Sequence, residues 1–253
     1  MGRPTKGMIA ALLIASAGAA HAACHPEGGL TIYNGTVGKA VVRVALHLAN
    51  GPVEGRYAYA VSTTDIPLRG SLDAAGKTLK LTESDAAGRP TATFAGTFLA
   101  SDPQFAGGSK LNCEVVTGTW TPANGKAPLR FRLSEDSSTL AQFGHLYDVA
   151  GAHNDEPINR AAAAFRSAML RNKREAVAHM ITYPIQVDVA GKRTKIANPA
   201  ALLAHYDGIF TAKFRAAVAA DVPRLMFARD QGIMLGGGEV WFGPDGKVKA
   251  LNN

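Results

Sequence analysis

Hydrophobic and polar residues alternate along the first half of the chain. Within residues 38–48, Val42, Val44, Leu46 and Leu48 share one parity and Arg43 and His47 share the other, which is the period of a half-buried strand. Six similar runs follow, separated by glycine-containing turns: 53–60, 66–72, 78–83, 91–99, 115–121 and 129–133. Seven strands without a helical period between them predict an antiparallel meander. We expect it to form a small barrel or a curled sandwich, because closure or curling removes exposed strand edges.

The alternation is lost over residues 134–157, and a helical period follows. Ile158, Ala162, Phe165 and Met169 recur at intervals of three and four residues, as on the buried face of a helix. The polar composition of residues 141–157 is typical of a solvated connection. The sequence therefore predicts two domains, an all-β domain over residues 23–140 and an α+β domain over residues 158–253, joined by a linker of residues 141–157.

The second domain is predicted to mix helices and strands. Asn172 and Glu175 have the spacing of a capping box and predict the start of a second helix. Asn198 before a proline predicts the start of a third helix, and residues 183–190 are predicted as a strand. The turn sequence Gly243-Pro-Asp-Gly246 between two apolar runs predicts a terminal hairpin. The glycines Gly236-Gly-Gly238 predict a bulge or a close backbone approach before that hairpin.

The first 22 residues have the pattern of a secretory signal peptide. Arg3 and Lys6 precede an apolar run, and Ala20-His21-Ala22 has the form of a cleavage site. We expect cleavage after Ala22 and a periplasmic or secreted mature protein. The apolar run is shorter than the roughly 20 residues of a spanning helix, and no second run follows, so no transmembrane segment is expected in the mature chain.

The chain has two cysteines, Cys24 and Cys113. In an exported protein an even pair is most simply a disulfide, which here would stabilise the fold by roughly 4 kcal/mol on the chain-entropy model. Lipidation of Cys24 is an alternative, although His21 stands where lipoprotein signals favour leucine. A redox or metal site is less suited to the sequence, because there is no Cys-x-x-Cys.

Positive charge is concentrated in the second domain. Residues 23–158 contain 11 basic and 13 acidic side chains, whereas residues 159–253 contain 14 basic and 7 acidic side chains. The densest cluster is Arg166, Arg171, Lys173 and Arg174, which we predict to contact an anionic partner. Outside the cytoplasm this partner would be a protein or an anionic envelope component, and we expect no nucleic acid. A solvated basic surface without a partner is the alternative.

Several strands of the first domain carry short glycine and aromatic motifs, such as Gly55-Arg-Tyr-Ala-Tyr59 and Gly118-Thr-Trp120. They resemble the strands of exported bacterial β-domains with lipocalin-like meanders. The glycines are expected where the sheet bends. Tyr57, Tyr59 and Trp120 are expected to pack in the core or on the sheet surface, with ligand stacking as the alternative.

The second domain resembles the nuclear-transport-factor-2-like, or cystatin-like, superfamily. The resemblance is carried by Glu175-Ala-Val-Ala-His-Met-Ile181, Ala204-His-Tyr-Asp-Gly-Ile-Phe210 and Gly238-Glu-Val-Trp-Phe242, together with the order of helices and strands. It implies a cone in which a curved sheet wraps a helix. In catalytic members of the superfamily, acids and histidines line the cone and act on a bound small molecule.

A ligand pocket in such a cone would be bounded by Tyr183, Tyr206, Glu239 and Trp241. The pocket requires that these side chains converge on a concave space. His205 and the aspartate two residues later lie on different sides of a helix, so they do not form a catalytic dyad by themselves.

No sequence motif demands catalysis. A nucleophile elbow, a phosphate loop and the His-Glu-x-x-His motif are all lacking, so we predict no catalytic residue and no cofactor. His145 and His153 have a spacing that matches no metal-binding pattern, so no metal site is predicted. The sequence favours an exported, non-catalytic bacterial binding protein with a macromolecular partner, for example an inhibitor or immunity protein against a cell-wall hydrolase. The alternatives are a small-ligand-binding protein or enzyme with a nuclear-transport-factor-2-like pocket, and a structural envelope module.

Overall fold

The computed structural model describes residues 29–48, 51–73, 76–99 and 115–253. The predicted signal peptide and both cysteines of the predicted disulfide lie outside the described residues. The described strands are β1 (Leu30–Val37), β2 (Ala40–Leu48), β3 (Gly51–Tyr59), β4 (Ile66–Leu72), β5 (Thr78–Ser84), β6 (Pro90–Phe98), β7 (Val115–Pro122), β8 (Leu129–Thr139), β9 (Ile185–Val189), β10 (Lys192–Ile196), β11 (Phe227–Arg229), β12 (Gly232–Leu235), β13 (Val240–Phe242) and β14 (Val248–Leu251). The described α-helices are α1 (Asp155–Leu170), α2 (Arg174–His179), α3 (Pro199–Ala204), α4 (Tyr206–Ile209) and α5 (Ala212–Ala219).

Strands β1 to β8 form a closed antiparallel barrel. Each strand pairs with the next in sequence, and β8 pairs back with β1, which confirms the predicted antiparallel barrel. The sequence pattern missed β1. Both faces of this strand are buried, since Leu30 and Ile32 pack on the C-terminal part of the chain while Tyr33 fills the barrel, so its residues do not alternate in polarity.

Aromatic rings fill the barrel interior, and glycines allow its strands to curve. The Phe94 ring makes edge contacts with Tyr57 and Phe131 at centroid distances of 5.6 and 5.3 Å. At Gly70, an added Cβ would lie 1.8 Å from the carbonyl oxygen of Lys80 on the neighbouring strand. Only glycine permits so close an approach, which agrees with the predicted role of the glycine motifs.

The described C-terminal part combines five α-helices, of which α1 with 16 residues is the longest, with two small sheets. β9 and β10 form a hairpin, and β11 to β14 form a four-stranded antiparallel meander. The predicted apolar face of α1 is confirmed, because all four of its residues are buried, with Phe165 packed against Phe210 and Phe242. β13 and β14 pair as the predicted terminal hairpin. No described helix has both the length and the apolar character needed to cross a membrane.

Two predicted helix starts have different outcomes. Asn198 caps α3 as predicted, and its side chain accepts a hydrogen bond from the N–H of Ala201 at 2.9 Å. The capping box predicted at Asn172 is wrong, because Lys173 occupies the N-cap position of α2. Asn172 instead adopts a left-handed φ of 54° after the end of α1, a conformation that asparagine tolerates better than most residues.

Residues 140–154 form an ordered connection between β8 and α1, and residues 155–157 of the predicted linker are the first residues of α1. Tyr147 is fully buried, and its hydroxyl donates to Asn159 Oδ1 at 2.6 Å and accepts from the Met226 N–H at 3.1 Å. The carboxylate of Asp155, the first residue of α1, accepts hydrogen bonds from two backbone N–H groups of this connection, both at 3.1 Å. The polar residues therefore satisfy backbone groups, which explains why the composition resembled that of a linker.

Arg43 joins the barrel to the C-terminal part. Its side chain points outward from β2 but is only 2% exposed. The guanidinium donates to Asn34 Oδ1 at 2.7 Å, to Asp221 Oδ1 at 2.6 Å and to the Val222 carbonyl oxygen at 3.1 Å. The other oxygen of Asp221 accepts from the N–H of Gly236 at 2.6 Å, so one carboxylate connects the barrel to the turn after β12.

Replacing Arg43 with alanine should lower the free energy of unfolding by about 3 to 5 kcal/mol, because Asp221 would lose its buried partner. Arg130→Ala is the matched control, since Arg130 is an exposed barrel arginine whose contact with Thr119 is 3.4 Å long. This control should change the stability by less than about 0.5 kcal/mol. Urea unfolding followed by circular dichroism measures both values, and equal losses in the two variants would contradict the role assigned to Arg43.

Candidate functional site

A groove of about 680 Å³ runs between α1 and the loop that connects β3 to β4. Its helical wall includes Arg160, Ala163, Ser167 and Leu170, which recur at intervals of three and four residues and therefore share one face of α1. Residues 60–63 form the opposite wall. The lining runs from residue 156 to residue 171, which corresponds to roughly 22 Å along the helix axis.

Arg224 holds the two walls of the groove at a fixed separation. Its guanidinium donates to Asp65 Oδ1 at 2.6 Å and to the Thr63 carbonyl oxygen at 2.9 Å, both in the β3–β4 loop. The same group donates to Glu156 Oε2 on α1 at 2.7 Å. Arg224 is almost fully buried, so its charge is satisfied by the protein and it shapes the groove without being free to bind a ligand.

Two arginines of the predicted cationic cluster, Arg166 and Arg174, form hydrogen bonds within the protein. Arg166 lines the groove, but its guanidinium donates to two carbonyl oxygens at the end of α5, at 3.1 and 2.5 Å. Arg174 makes two hydrogen bonds with Asp207, at 3.0 and 2.8 Å. Arg171 lies at the end of the groove, where it donates to a serine hydroxyl of α1, and Lys173 is exposed. The structure thus brings only Arg166 and Arg171 of this cluster into the groove lining.

The accessible positive charge of the groove comes from Arg160 and Arg171. Both side chains are exposed, and the ion-pair contact of Arg160 is long, at 3.6 Å. Between them the helix presents Ala163 and Leu170, the latter 43% exposed, and Val61 on the opposite wall is 85% exposed. An apolar floor between two cationic ends suits a ligand that carries both apolar and anionic groups. Sequence reasoning missed Arg160 and the loop wall, because only the tertiary packing places them beside each other.

The residues predicted to bound a small-ligand pocket each have partners within the protein. Tyr206 is buried, and its ring packs on Phe210 at a centroid distance of 4.5 Å. The Trp241 ring instead contacts Phe227 at 6.5 Å and lies under the Arg229 guanidinium at 4.7 Å. Tyr206 and Trp241 therefore have different neighbours, and each has a packing role.

Glu239 and Tyr183, the other two predicted pocket residues, also have local contacts. Glu239 folds over the glycine turn between β12 and β13, where an added Cβ at Gly236 would lie 2.5 Å from Glu239 Oε2. That oxygen is buried without a hydrogen-bond partner. The three glycines thus form a turn that makes room for a carboxylate, in place of a bulge within a strand. Tyr183 donates its hydroxyl to the carbonyl oxygen of Ala178 in α2 at 2.8 Å.

A carboxylate that sequence analysis did not single out lies inside the barrel. Glu83 is 8% exposed and follows Leu81 on the inward-facing side of β5. It accepts hydrogen bonds from the hydroxyls of Tyr57 and Thr91, both at 2.6 Å, and from Trp120 Nε1 at 3.0 Å. Of the three aromatic residues considered for packing or ligand stacking, Tyr57 and Trp120 are therefore hydrogen-bond donors to Glu83, and the Tyr59 ring packs on Tyr57 at a centroid distance of 5.4 Å. The signal in the sequence was a charged residue at an apolar position of an alternating strand.

Two tyrosines inside the barrel have strongly raised pKa values. Burial raises the pKa of Tyr57, and the hydrogen bond to Glu83 adds to the effect, since a tyrosinate could not donate it. Burial raises the pKa of Tyr33 and the charge of Glu135 adds to the effect, whereas the Thr31 side chain lowers it through a contact that falls short of normal hydrogen-bond geometry. A raised pKa in the folded state means that stability is intact below about pH 10, where unfolded tyrosine ionises, and is lost as the pH rises further.

The two tyrosines should respond differently to loss of the hydroxyl. Tyr57→Phe should lower the free energy of unfolding at pH 7 by about 1 to 3 kcal/mol, because Glu83 loses a donor. Tyr33→Phe, the matched control, should leave the free energy of unfolding unchanged or slightly raised, because it removes a buried hydroxyl whose contact with Thr31 is weak. Both variants should lose less stability than the wild type above about pH 10. Urea unfolding between pH 7 and 11 measures these differences, and equal losses at pH 7 would contradict the pairing of Tyr57 with Glu83.

The described residues contain no group of three or more histidine, cysteine, aspartate or glutamate side chains placed to hold a metal ion. In the segment before α1, Asp148 Oδ1 lies 3.4 Å from His145 Nδ1 and 3.7 Å from His153 Nδ1. All three side chains are exposed, so these are surface contacts between a carboxylate and two imidazoles.

Comparison with known proteins finds no family model, no curated protein and no solved structure that matches the chain. The resemblances to lipocalin-like meanders and to the nuclear-transport-factor-2-like cone stay predictions from the sequence. The groove and its charges are the features on which a function can be proposed.

Proposed function

We propose that the protein is a non-catalytic binding protein that recognises a macromolecular partner through the groove along α1. The recognised part of the partner is an acidic segment that carries apolar side chains. The observation that carries this proposal is the apolar floor between Arg160 and Arg171, whose side chains are exposed while Arg166, Arg174 and Arg224 are held by internal partners.

The size and rigidity of the groove support a macromolecular partner. Its volume of about 680 Å³ lies in the range of specific binding sites, and its length of roughly 22 Å suits a chain segment better than a compact small molecule. The loop wall is already held by Arg224, so binding would not require the loop to become ordered.

The sequence supports the setting of this interaction. The signal-peptide pattern favours the periplasm or the extracellular space, where acidic proteins and anionic envelope components are the candidate partners. An inhibitor or immunity protein against a cell-wall hydrolase would use such a site to bind its target. The nuclear-transport-factor-2-like cone in residues 158–253 is proposed from the order of its helices and strands alone.

Selection of displayed peptides tests the proposed function. Random peptides of about 12 residues are selected on the wild-type protein and on the Arg160→Glu, Arg171→Glu double variant. We expect acidic peptides to be enriched on the wild type. Individual peptides should bind the double variant at least about 30-fold more weakly, because two charge-assisted contacts become repulsive. Their affinity for the wild type should fall as salt is added, because partly exposed charges are screened.

The Arg193→Glu, Lys195→Glu double variant is the matched control. Both residues are exposed on β10, outside the groove lining, and this variant changes the net charge by the same amount. Circular dichroism establishes that both double variants are folded. Enriched peptides that bind the two variants equally well, or a selection that yields no peptide dependent on Arg160 and Arg171, would overturn the proposed function.

A further inference from the structure

We infer that the groove recognises an extended segment in which two carboxylate side chains flank one aliphatic side chain, at positions i, i+2 and i+4. This inference rests on the proposed function and specifies the chemistry of the partner at the same site. It follows from the positions of the accessible charges, the exposed apolar side chains and the polar groups that line the groove.

The spacing of the accessible charges sets the distance between the carboxylates. Arg160 and Arg171 are separated by 11 positions on one continuous helix, which places their Cα atoms about 16 Å apart. Arg171 is the C-cap residue that directly follows α1, so the helical rise applies over nearly the whole interval. A partner must therefore present its two negative groups at well-separated points and not as one compact cluster.

The apolar side chains define what lies between the charges. Leu170 and Val61 are large hydrophobic residues with high exposure, and both line the groove, from opposite walls. Ala163 lies between Arg160 and Leu170 along the helix, and its small side chain leaves space for a ligand side chain. An aliphatic group in this space would remove apolar surface of both walls from water. This burial favours binding, and it does not depend on the orientation of the aliphatic group.

An extended ligand fits this arrangement better than a helical one. In an extended chain, positions i, i+2 and i+4 point to the same side, and i to i+4 spans about 13 Å. The long side chains of arginine and glutamate readily bridge the remaining 3 Å or so. In a helix, carboxylates at i and i+4 are only about 6 Å apart.

The polar lining also favours an extended backbone. Ser62 and Ser167 line the same groove, and each hydroxyl, although it already accepts a hydrogen bond within the protein, can still donate its O–H to a ligand carbonyl oxygen. An extended segment has unpaired N–H and C=O groups that need such partners, whereas a helix satisfies them internally. The lining thus suits the backbone as well as the side chains of the inferred segment.

Two peptides of identical composition test the inferred spacing. The spaced probe is acetyl-Gly-Ser-Glu-Ser-Leu-Ser-Glu-Ser-Gly-amide, and the clustered probe is acetyl-Gly-Ser-Ser-Leu-Ser-Ser-Glu-Glu-Gly-amide. Each is titrated into the ¹⁵N-labelled full protein, and amide chemical shifts are followed to millimolar peptide. We expect the spaced probe to bind about tenfold more tightly, because both carboxylates make charge-assisted contacts. Its shifts should include the amides of Val61, Ala163 and Leu170.

The Arg171→Gln variant provides the control for charge spacing. With one end of the groove neutral, the spaced probe loses its second contact, so the two probes should bind this variant with similar affinity. Equal affinity for the wild type would overturn the inferred spacing. If both probes still shifted groove amides of the wild type, and if these shifts were absent in the Arg160→Glu, Arg171→Glu variant, the proposed function would stand. Absence of groove shifts with either probe would also overturn the inference, while the display selection decides the proposed function separately.

Discussion

The buried ion pair between Arg43 and Asp221 is the contact on which the relation of the two halves depends. Burying a guanidinium is favourable only when its donors are paired, and here they reach a carboxylate, an asparagine and backbone carbonyl oxygens. The bonds to the segment 221–224 fix the backbone from which Arg224 extends. Since Arg224 ties the β3–β4 loop to α1, the width of the groove depends on an interaction that lies outside it.

The distribution of arginine contacts explains why net charge is a poor guide to the binding surface. The C-terminal part is strongly basic by composition, yet several of its arginines are hydrogen-bonded to carbonyl oxygens or carboxylates. Arg215, for example, donates to the carbonyl oxygens of Phe210 and Met169 at 2.8 and 2.9 Å. Such side chains hold loops and helix ends in place. Among the basic residues that line the groove, Arg160 and Arg171 remain accessible, and they lie 11 positions apart along α1 and its C-cap.

The sequence predicted elements whose signal is local, and it failed where the signal is tertiary. Alternation in β2 to β8 predicted the antiparallel meander, and the apolar face of α1 was predicted from its helical period. Strand β1 escaped notice because a second core covers its outer face at Leu30 and Ile32. For the groove, Arg166 and Arg171 were found as charges, but nothing local shows that residues 60–63 pack beside α1. Contacts between distant segments leave no periodic trace in either segment.

The hydrogen bonds that Glu83 accepts inside the barrel also help to position the groove wall formed by the β3–β4 loop. Tyr57, which donates a hydrogen bond to Glu83, lies near the end of β3, only a few residues before the loop that forms the groove wall. Beyond it, the Ser62 N–H donates to the Tyr59 carbonyl oxygen, and the Tyr59 N–H donates to the Ser62 hydroxyl, both at 2.9 Å. The loop is thus fixed at its start by the barrel and at its end by Arg224. Two walls held from opposite sides can discriminate ligands by charge spacing, because neither wall moves to follow a poorly spaced one.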